Sequence, residues 1–350
     1  MQLIMETKTI VYFKHGLGNL IMFSPALQAL ALADESKQID ICMSSFWEDP
    51  RRPAYDEYFK LCHFVQSVIN YPKETFTKKY RTWFYTNHSE ASEALDIFRN
   101  KNKLNVPMPD WSARAVHEIF WYMNLVDLHG YMRTYNNKGY TPPQFVPVTD
   151  EPILDFKNIK IGICNGTFSH RMKNGKQWPY FNELVTLLKQ YYDCTVIKIG
   201  YQDEMQDVKA DVDYVDKLTF CQSAKVISQL DLLITNDTAL MHAGDALNIP
   251  MIVIFGGTLI SKNGAISPNA VNICAGLDCQ PCQRTISFYN CPHYNCLLRL
   301  GVDMVMSEVR KKLIVSTKIE TRNPTEIMIA NVVNDEKLVL TCDGKAGIGV

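Results

Sequence analysis

Apolar side chains fall along the chain in short β-branched and aromatic runs that alternate with longer stretches of helical spacing. Thr9 to Phe13 reads as a strand, followed by a glycine-bearing loop and then an apolar helix ending near Asp34. Ile39 to Met43 and Val65 to Ile69 continue the pattern as strands, and Val116 to Leu128 reads as a long, partly buried helix. A segment rich in proline follows, with Pro142, Pro143, Pro147 and Pro152 each restricting itself and its predecessor to extended backbone. Beyond it the alternation restarts. Strands are expected at Ile159–Cys164, Thr195–Ile199, Leu232–Thr235 and Met251–Phe255, and helices at Tyr180–Tyr191, Phe220–Leu230 and Ala239–Leu247. Strand, loop and helix in repeated order describe parallel βαβ units, so the expectation is an α/β chain with two doubly wound, Rossmann-like domains that face one another. The boundaries expected are 1–145, 146–315 and an appended β-prone tail, 316–350.

One stretch imitates a membrane span, because Gly16 to Ala33 carries no charged side chain. Ser24-Pro25 reads as an N-cap followed by a first-turn proline, which divides the stretch into a loop and a helix of about three turns, too short to cross a bilayer. No transmembrane segment is therefore expected.

Composition narrows the picture without naming a chemistry. Over 350 residues, 47% are hydrophobic and 21% charged, which fits a folded chain with sizeable cores and excludes disorder. The 36 Lys+Arg against 37 Asp+Glu provide no global basic surplus for holding a polyanion. Eleven cysteines without a recognisable signal peptide indicate a reducing cytosol and thiols that are free or metal-bound.

The strongest chemical signal is the run from Ile234 to His242, followed by Ile252 to Thr258. Ligands of doubly wound sheets sit beyond the carboxyl ends of strands, where helix N-termini present N–H groups and partial positive charge. Asp237-Thr238-Ala239 falls at such a point. Asp237 alone reads equally well as a helix N-cap; His242 on the same side of the helix favours a pyrophosphate site.

The run TNDTALMHAGDALNIPMIVIFGGT resembles the donor-binding motif of glycosyltransferase family 9, the ADP-heptose:lipopolysaccharide heptosyltransferases, whose fold is GT-B. Four further segments are similar to family motifs in the family's order: Lys14 to Asn19 with Ser24 to Leu27; His117-Glu118-Ile119 with Tyr122; Lys176 to Pro179; and the cysteine segment from Cys279 to Cys296. The resemblance implies a glycosyltransferase that uses a nucleotide-diphosphate sugar, inverting and needing no metal for catalysis. It implies donor contacts from Gly16, Gly18, Lys176, Glu204, Asp237, Thr238, Ala239 and His242. Lys176 would neutralise the diphosphate, and Glu204 would hold the ribose.

Family members usually carry an aspartate directly after the second glycine of the N-terminal loop, and this chain has Asn19 there. An amide cannot accept a proton at neutral pH. His15, which titrates near neutrality, is the replacement candidate, with Asp49 and Asp110 behind it and Asn19 retained as a positioning group. The spacing Cys279-x2-Cys282-x8-Cys291-x4-Cys296 pairs thiols as a structural zinc site does, with His293 as a substitute ligand; reduced cysteines in a loop need no metal, so both readings stand. Asp211-Val212-Asp213 follows a polar stretch and reads as a solvated loop.

The acceptor stays open between a lipopolysaccharide core sugar and a hydroxymethylated base in DNA, the latter served by Lys14, Arg51, Arg52, Lys78, Lys79 and Arg81 as a local basic face. A third alternative is a nucleotide-sugar-binding protein that has lost catalysis. The expected location is the cytoplasm, including the inner face of the membrane, or the host cytoplasm if the chain is phage-encoded.

Overall fold

The computed structural model describes residues 9–13, 15–44, 52–71, 82–85, 117–120, 122–123, 144–167, 173–201, 205–283, 285, 288 and 290–319. Lys14, Asp49, Arg51, Lys78, Lys79, Arg81, Asp110 and Glu204 lie outside the described residues, as do most of the helix expected over 116–128 and the chain beyond 319. The chain divides into two compact units, one comprising Met1–Thr149 with Thr219–Cys221, the other the remainder.

In the first unit, β1 (Thr9–Phe13), α1 (Leu17–Ala33), β2 (Ile39–Ser44), α2 (Arg52–Leu61), β3 (Val65–Tyr71) and β4 (Thr82–Tyr85) follow in order. The strands form a parallel sheet of order β3-β2-β1-β4. Every residue of β1 is buried, as befits a strand with neighbours on both edges. The order places a topological switch point beside β1, since the chain winds to β2 and β3 on one side and returns to β4 on the other.

Helix α1 corrects one expectation. Ser24 and Pro25 do not begin it; they lie inside a 17-residue helix that starts at Leu17 and takes Gly16 as its N-cap. Proline cannot donate a backbone hydrogen bond, so the Ile21 carbonyl one turn earlier loses its ordinary helical partner. The Ser24 hydroxyl donates to that carbonyl at 2.7 Å. The same oxygen accepts the Phe145 backbone N–H at 2.6 Å, and Tyr58 donates its hydroxyl to the Phe145 carbonyl at 2.6 Å. A helix buried on most of its surface, from Leu20 through Ala31, accommodates the proline because each polar group it disturbs is answered by a side chain. No helix among the described residues is long and apolar enough to cross a membrane.

The second unit runs β5 (Ile159–Cys164), α3 (Lys173–Lys176), α4 (Phe181–Tyr191), β6 (Cys194–Lys198), β7 (Val212–Asp213), α5 (Phe220–Ile227, its first two residues counted with the first unit), β8 (Leu232–Asn236), α6 (Ala239–Ala246), β9 (Met251–Phe255), α7 (Ile260–Asn263), β10 (Ala270–Cys274), α8 (Asn295–Leu298) and α9 (Val302–Ile319). Its six strands are parallel, in the order β10-β9-β8-β5-β6-β7. The core joins Ile161, Ile163, Val196, Leu232, Ile234, Ile252 and Ile254 of the sheet to Leu184 and Leu188 of α4 and Val305, Met306 and Val309 of α9. Helix α9 runs past residue 315, so residues 314–319, expected to be β-prone, are helical. Asp211 and Asp213 are not merely solvated. Asp211 pairs with Lys189 at 2.9 Å, and Asp213 at the end of β7 pairs with Lys198 at 2.9 Å.

Replacing Ser24 by alanine leaves two buried backbone groups without their partner, and the first unit is expected to lose about 1–3 kcal/mol in urea unfolding. Adding Pro25→Ala restores an N–H for the Ile21 carbonyl and should recover part of that loss.

Candidate functional site

The switch point of the second sheet lies between β5 and β8, where the chain leaves β5 for β6 on one side and later returns to β8 on the other. The residues just past the carboxyl ends of these two strands, Asn165 to Thr167 and Asp237 to Thr238, therefore flank the crevice in which such sheets bind ligands. Lys176 joins them from α3. Its ammonium donates to the Asp237 carboxylate at 2.8 Å and to the Asp237 backbone carbonyl at 3.3 Å. His242 brings Nε2 to 3.9 Å from the other carboxylate oxygen. Burial pushes the Asp237 carboxyl up, but the Lys176 ammonium and His242 outweigh it and hold the group below the ordinary carboxylate range.

Thr238, not Asp237, caps α6. Its hydroxyl accepts the N–H groups of Leu240 at 3.0 Å and Met241 at 3.4 Å. That hydroxyl still has a proton to donate outward, and Ala239 opens the helix beside it. Asp237, relieved of capping, is committed to the lysine. Sequence reasoning allowed the N-cap reading because Asp and Thr cap helices almost equally well.

Several residues that the sequence analysis left without a role hold Lys176 in place. Trp178 is buried and donates its indole N–H to the Leu300 carbonyl at 2.7 Å. Asn165 receives the Trp178 backbone N–H at 2.9 Å and donates back to the Trp178 carbonyl at 2.8 Å. Asn236, fully buried at the end of β8, donates to the carbonyls of Gly166 at 2.8 Å and Lys176 at 3.1 Å. A buried asparagine at the end of each of two neighbouring strands was the available signal, since a buried amide needs partners that only nearby loops supply. Gly256 completes the arrangement, because a Cβ there would collide with the Gly175 carbonyl.

In the first unit, His15, Gly16, Gly18 and Asn19 lie past the end of β1, at that sheet's own switch point. Gly18 and Asn19 belong to the first turn of α1 and not to a loop. The Asn19 side-chain amide donates to the carboxylate of Glu118, which is buried beside the helical turn that also carries Tyr122. Burial, then the Glu118 charge, pushes the Tyr122 hydroxyl well up, against a smaller downward pull from Asn19. The His15 ring meets Phe13 edge-on at 5.5 Å and Tyr122 at 6.4 Å, and the His15 carbonyl accepts the Tyr55 hydroxyl at 2.8 Å. The structure thus gathers Lys176, Asp237, Thr238, Ala239 and His242 in one unit and His15, Gly16, Gly18 and Asn19 in the other. Arg52, the described member of the expected basic face, is turned to Asp56 at 2.7 Å and to Asn70.

The zinc site expected from the cysteine spacing finds no support in the structure, although Cys282, Cys291 and Cys279 add to the burial that raises the Cys296 thiol. Among the described residues, no group of three or more His, Cys, Asp or Glu could hold a metal ion. Cys296 packs into the core and burial pushes its thiol up to about 11, whereas Cys279 is exposed. Cys291 and His293 turn to backbone N–H groups, Tyr294 donating to the Cys291 sulfur at 3.3 Å and Asn295 to His293 Nδ1 at 3.2 Å. Cys274 is disulfide-bonded, a departure from the expectation that every thiol is free or metal-bound. The segment instead braces the site. Gln283 donates its backbone N–H to the Gly257 carbonyl at 2.9 Å, Gln280 donates to the Gly256 carbonyl at 2.7 Å, and Cys282 fills the space beside Gly257.

Gly256→Ala is expected to cost about 1–3 kcal/mol of stability in urea unfolding, because the colliding atom belongs to backbone and cannot swing aside. Gly301→Ala, where nothing lies within 4 Å of a new methyl group, should stay within about 1 kcal/mol of the unaltered chain.

Residues 130–293 match the family described as glycosyltransferase family 9 (heptosyltransferase). A curated relative, lipooligosaccharide heptosyltransferase 2 of Campylobacter jejuni, is 32% identical over 96 residues, a match that spans 27% of this chain and 28% of the relative's own length. Two solved structures share the fold. A family 9 glycosyltransferase from Veillonella parvula aligns with a TM-score of 0.64 at 14% identity, covering 89% of this chain and 98% of that one. The ADP-heptose LPS heptosyltransferase II of E. coli aligns with a TM-score of 0.63 at 16% identity, covering 89% and 99%. Residues 130–293 are thus similar to glycosyltransferase family 9, and the two parallel sheets share the fold of these two structures.

Proposed function

We propose that the chain is an inverting glycosyltransferase that moves a sugar from a nucleotide diphosphate to an acceptor hydroxyl without a metal ion. The donor named for the E. coli relative, ADP-heptose, is the first choice, and a lipopolysaccharide core sugar is the acceptor. The observation that carries this reading is the Lys176 ammonium held against Asp237 at the N-terminus of α6, past the carboxyl ends of β5 and β8. Fixed positive charge and a helix N-terminus in that position suit a diphosphate.

Each chemical part of the reaction has a supporting residue. A departing nucleoside diphosphate gains negative charge as the bond to the anomeric carbon breaks, and Lys176 with the first turn of α6 stabilises that charge. Asp237 orients the lysine, and the Thr238 hydroxyl offers a further donor. Glu204, outside the described residues, remains the proposed ribose contact. The chain works in the cytoplasm or at the inner face of the membrane, where such donors and lipid-linked acceptors meet.

A thermal-shift screen over ADP-, UDP-, GDP- and CMP-sugars tests the reading. ADP-heptose is expected to raise the unfolding temperature, and Lys176→Gln to remove most of that rise whatever it does to the unliganded chain. If no nucleotide sugar shifts the transition, the assignment fails. Binding without turnover in the presence of core acceptors supports a lapsed binding protein instead.

A further inference from the structure

The position at which a carboxylate is expected in the first unit holds Asn19, whose amide has no basic lone pair to offer. The geometry points to Glu118 as the group that takes the acceptor proton, an inference that rests on the glycosyltransferase reading above. Glu118 is 99 positions away in sequence, yet its Oε2 accepts a hydrogen bond from Asn19 Nδ2 in the first turn of α1. That turn stands at the switch point beside β1, where a ligand of this sheet would sit. The carboxylate missing from α1 is thus supplied from the turn carrying residues 118–120, and the asparagine holds it in place.

The neighbouring groups are less suited to the task. Tyr122 keeps its proton, because burial and the Glu118 charge both push its hydroxyl upward. The His15 ring is wedged edge-on against Phe13 and Tyr122. His117 Nδ1 accepts the Ile119 backbone N–H at 3.3 Å, which spends that nitrogen within its own turn. Glu118 is 3% exposed, so its charge lies where water screens little.

The step balances without a further reactant. The acceptor O–H bond breaks and its proton passes to Glu118. The freed oxygen pair forms the bond to the anomeric carbon, and the pair of the old C–O bond leaves with the nucleoside diphosphate. Glu118 then returns its proton to solvent. Asn19 is a positioning residue in this scheme, since it acts by aiming the carboxylate.

The experiment is a carboxylate exchange in the full chain. Glu118→Gln preserves shape and is expected to lower kcat by about 10²–10⁴-fold, with the donor KM and donor-induced thermal shift retained and the acid limb of the kcat/KM profile against pH removed. The double variant Asn19→Asp with Glu118→Gln returns a carboxylate to the same hydrogen bond from the other side, and is expected to recover at least about tenfold of the loss. A merely structural bond would move the unfolding temperature, not the acid limb. Glu118→Gln with unaltered kcat overturns the inference, as does activity lost on His15→Gln alone. Wild-type chain that binds donor but never turns it over overturns it too, because a poised base would then be idle. If the unaltered chain binds no nucleotide sugar, the functional reading itself has failed, an outcome distinct from an active Glu118→Gln.

Discussion

A lysine ammonium buried against an aspartate is the constraint around which the second unit's site is arranged. Lys176 and Asp237 are 15% and 8% exposed, and at such burial either charge alone would destabilise the fold by about 3–5 kcal/mol. Bringing them together requires the chain before α4 to run close under the end of β9, which only a residue without a side chain at 256 permits. It also requires that the backbone of that close-running segment be satisfied, which Asn165 and Asn236 do. Trp178 then fixes the segment in depth by filling the core and bonding to Leu300. The geometry of the Lys176–Asp237 pair is therefore set by packing and buried amides several residues from the charge itself.

The first unit solves a related problem with opposite polarity. Its switch point presents an acidic side chain, Glu118, held by a neutral amide, Asn19, amid aromatic rings. One unit holds a lysine against a carboxylate at its switch point, and the other holds a carboxylate against an amide. The same parallel-sheet architecture serves both, because each sheet leaves its crevice beyond the carboxyl end of the strand at which the winding reverses.

Seven of the ten strands among the described residues were legible to within two residues, since continuous apolar runs such as Met251–Phe255 have few other ways to be buried, whereas the short or less apolar β4, β7 and β10 were not expected. The cluster around Asp237 was legible too, because its members lie close together in the chain or in a motif. Where the reading failed, local rules had two solutions. Ser24-Pro25 has the composition of a helix start and is a repaired helix interior; Asp237-Thr238 offers two capping residues, and the second one caps. The cysteines failed for another reason, since their spacing permits a metal but cannot reveal that Cys296 faces the core while Cys279 faces water. Glu118 meeting Asn19 was not legible by any local rule. Contacts across 99 positions follow from the sheet order, which a single sequence does not display.

The bridge at Ser24 bears on how this chain can vary. A proline at 25 leaves the Ile21 carbonyl in need of a donor, the hydroxyl at 24 supplies it, and the oxygen of that hydroxyl then becomes the point to which Phe145 is tied. Each of these residues is reasonable only in the company of the others. With a residue other than proline at 25, the helix closes its own ladder and the serine keeps only its tie to Phe145; with the serine lost first, the proline becomes a defect in a buried helix. Drift through these positions therefore has a preferred order, proline before serine, and the three sites are inherited as one linked set although 120 positions separate the second from the last.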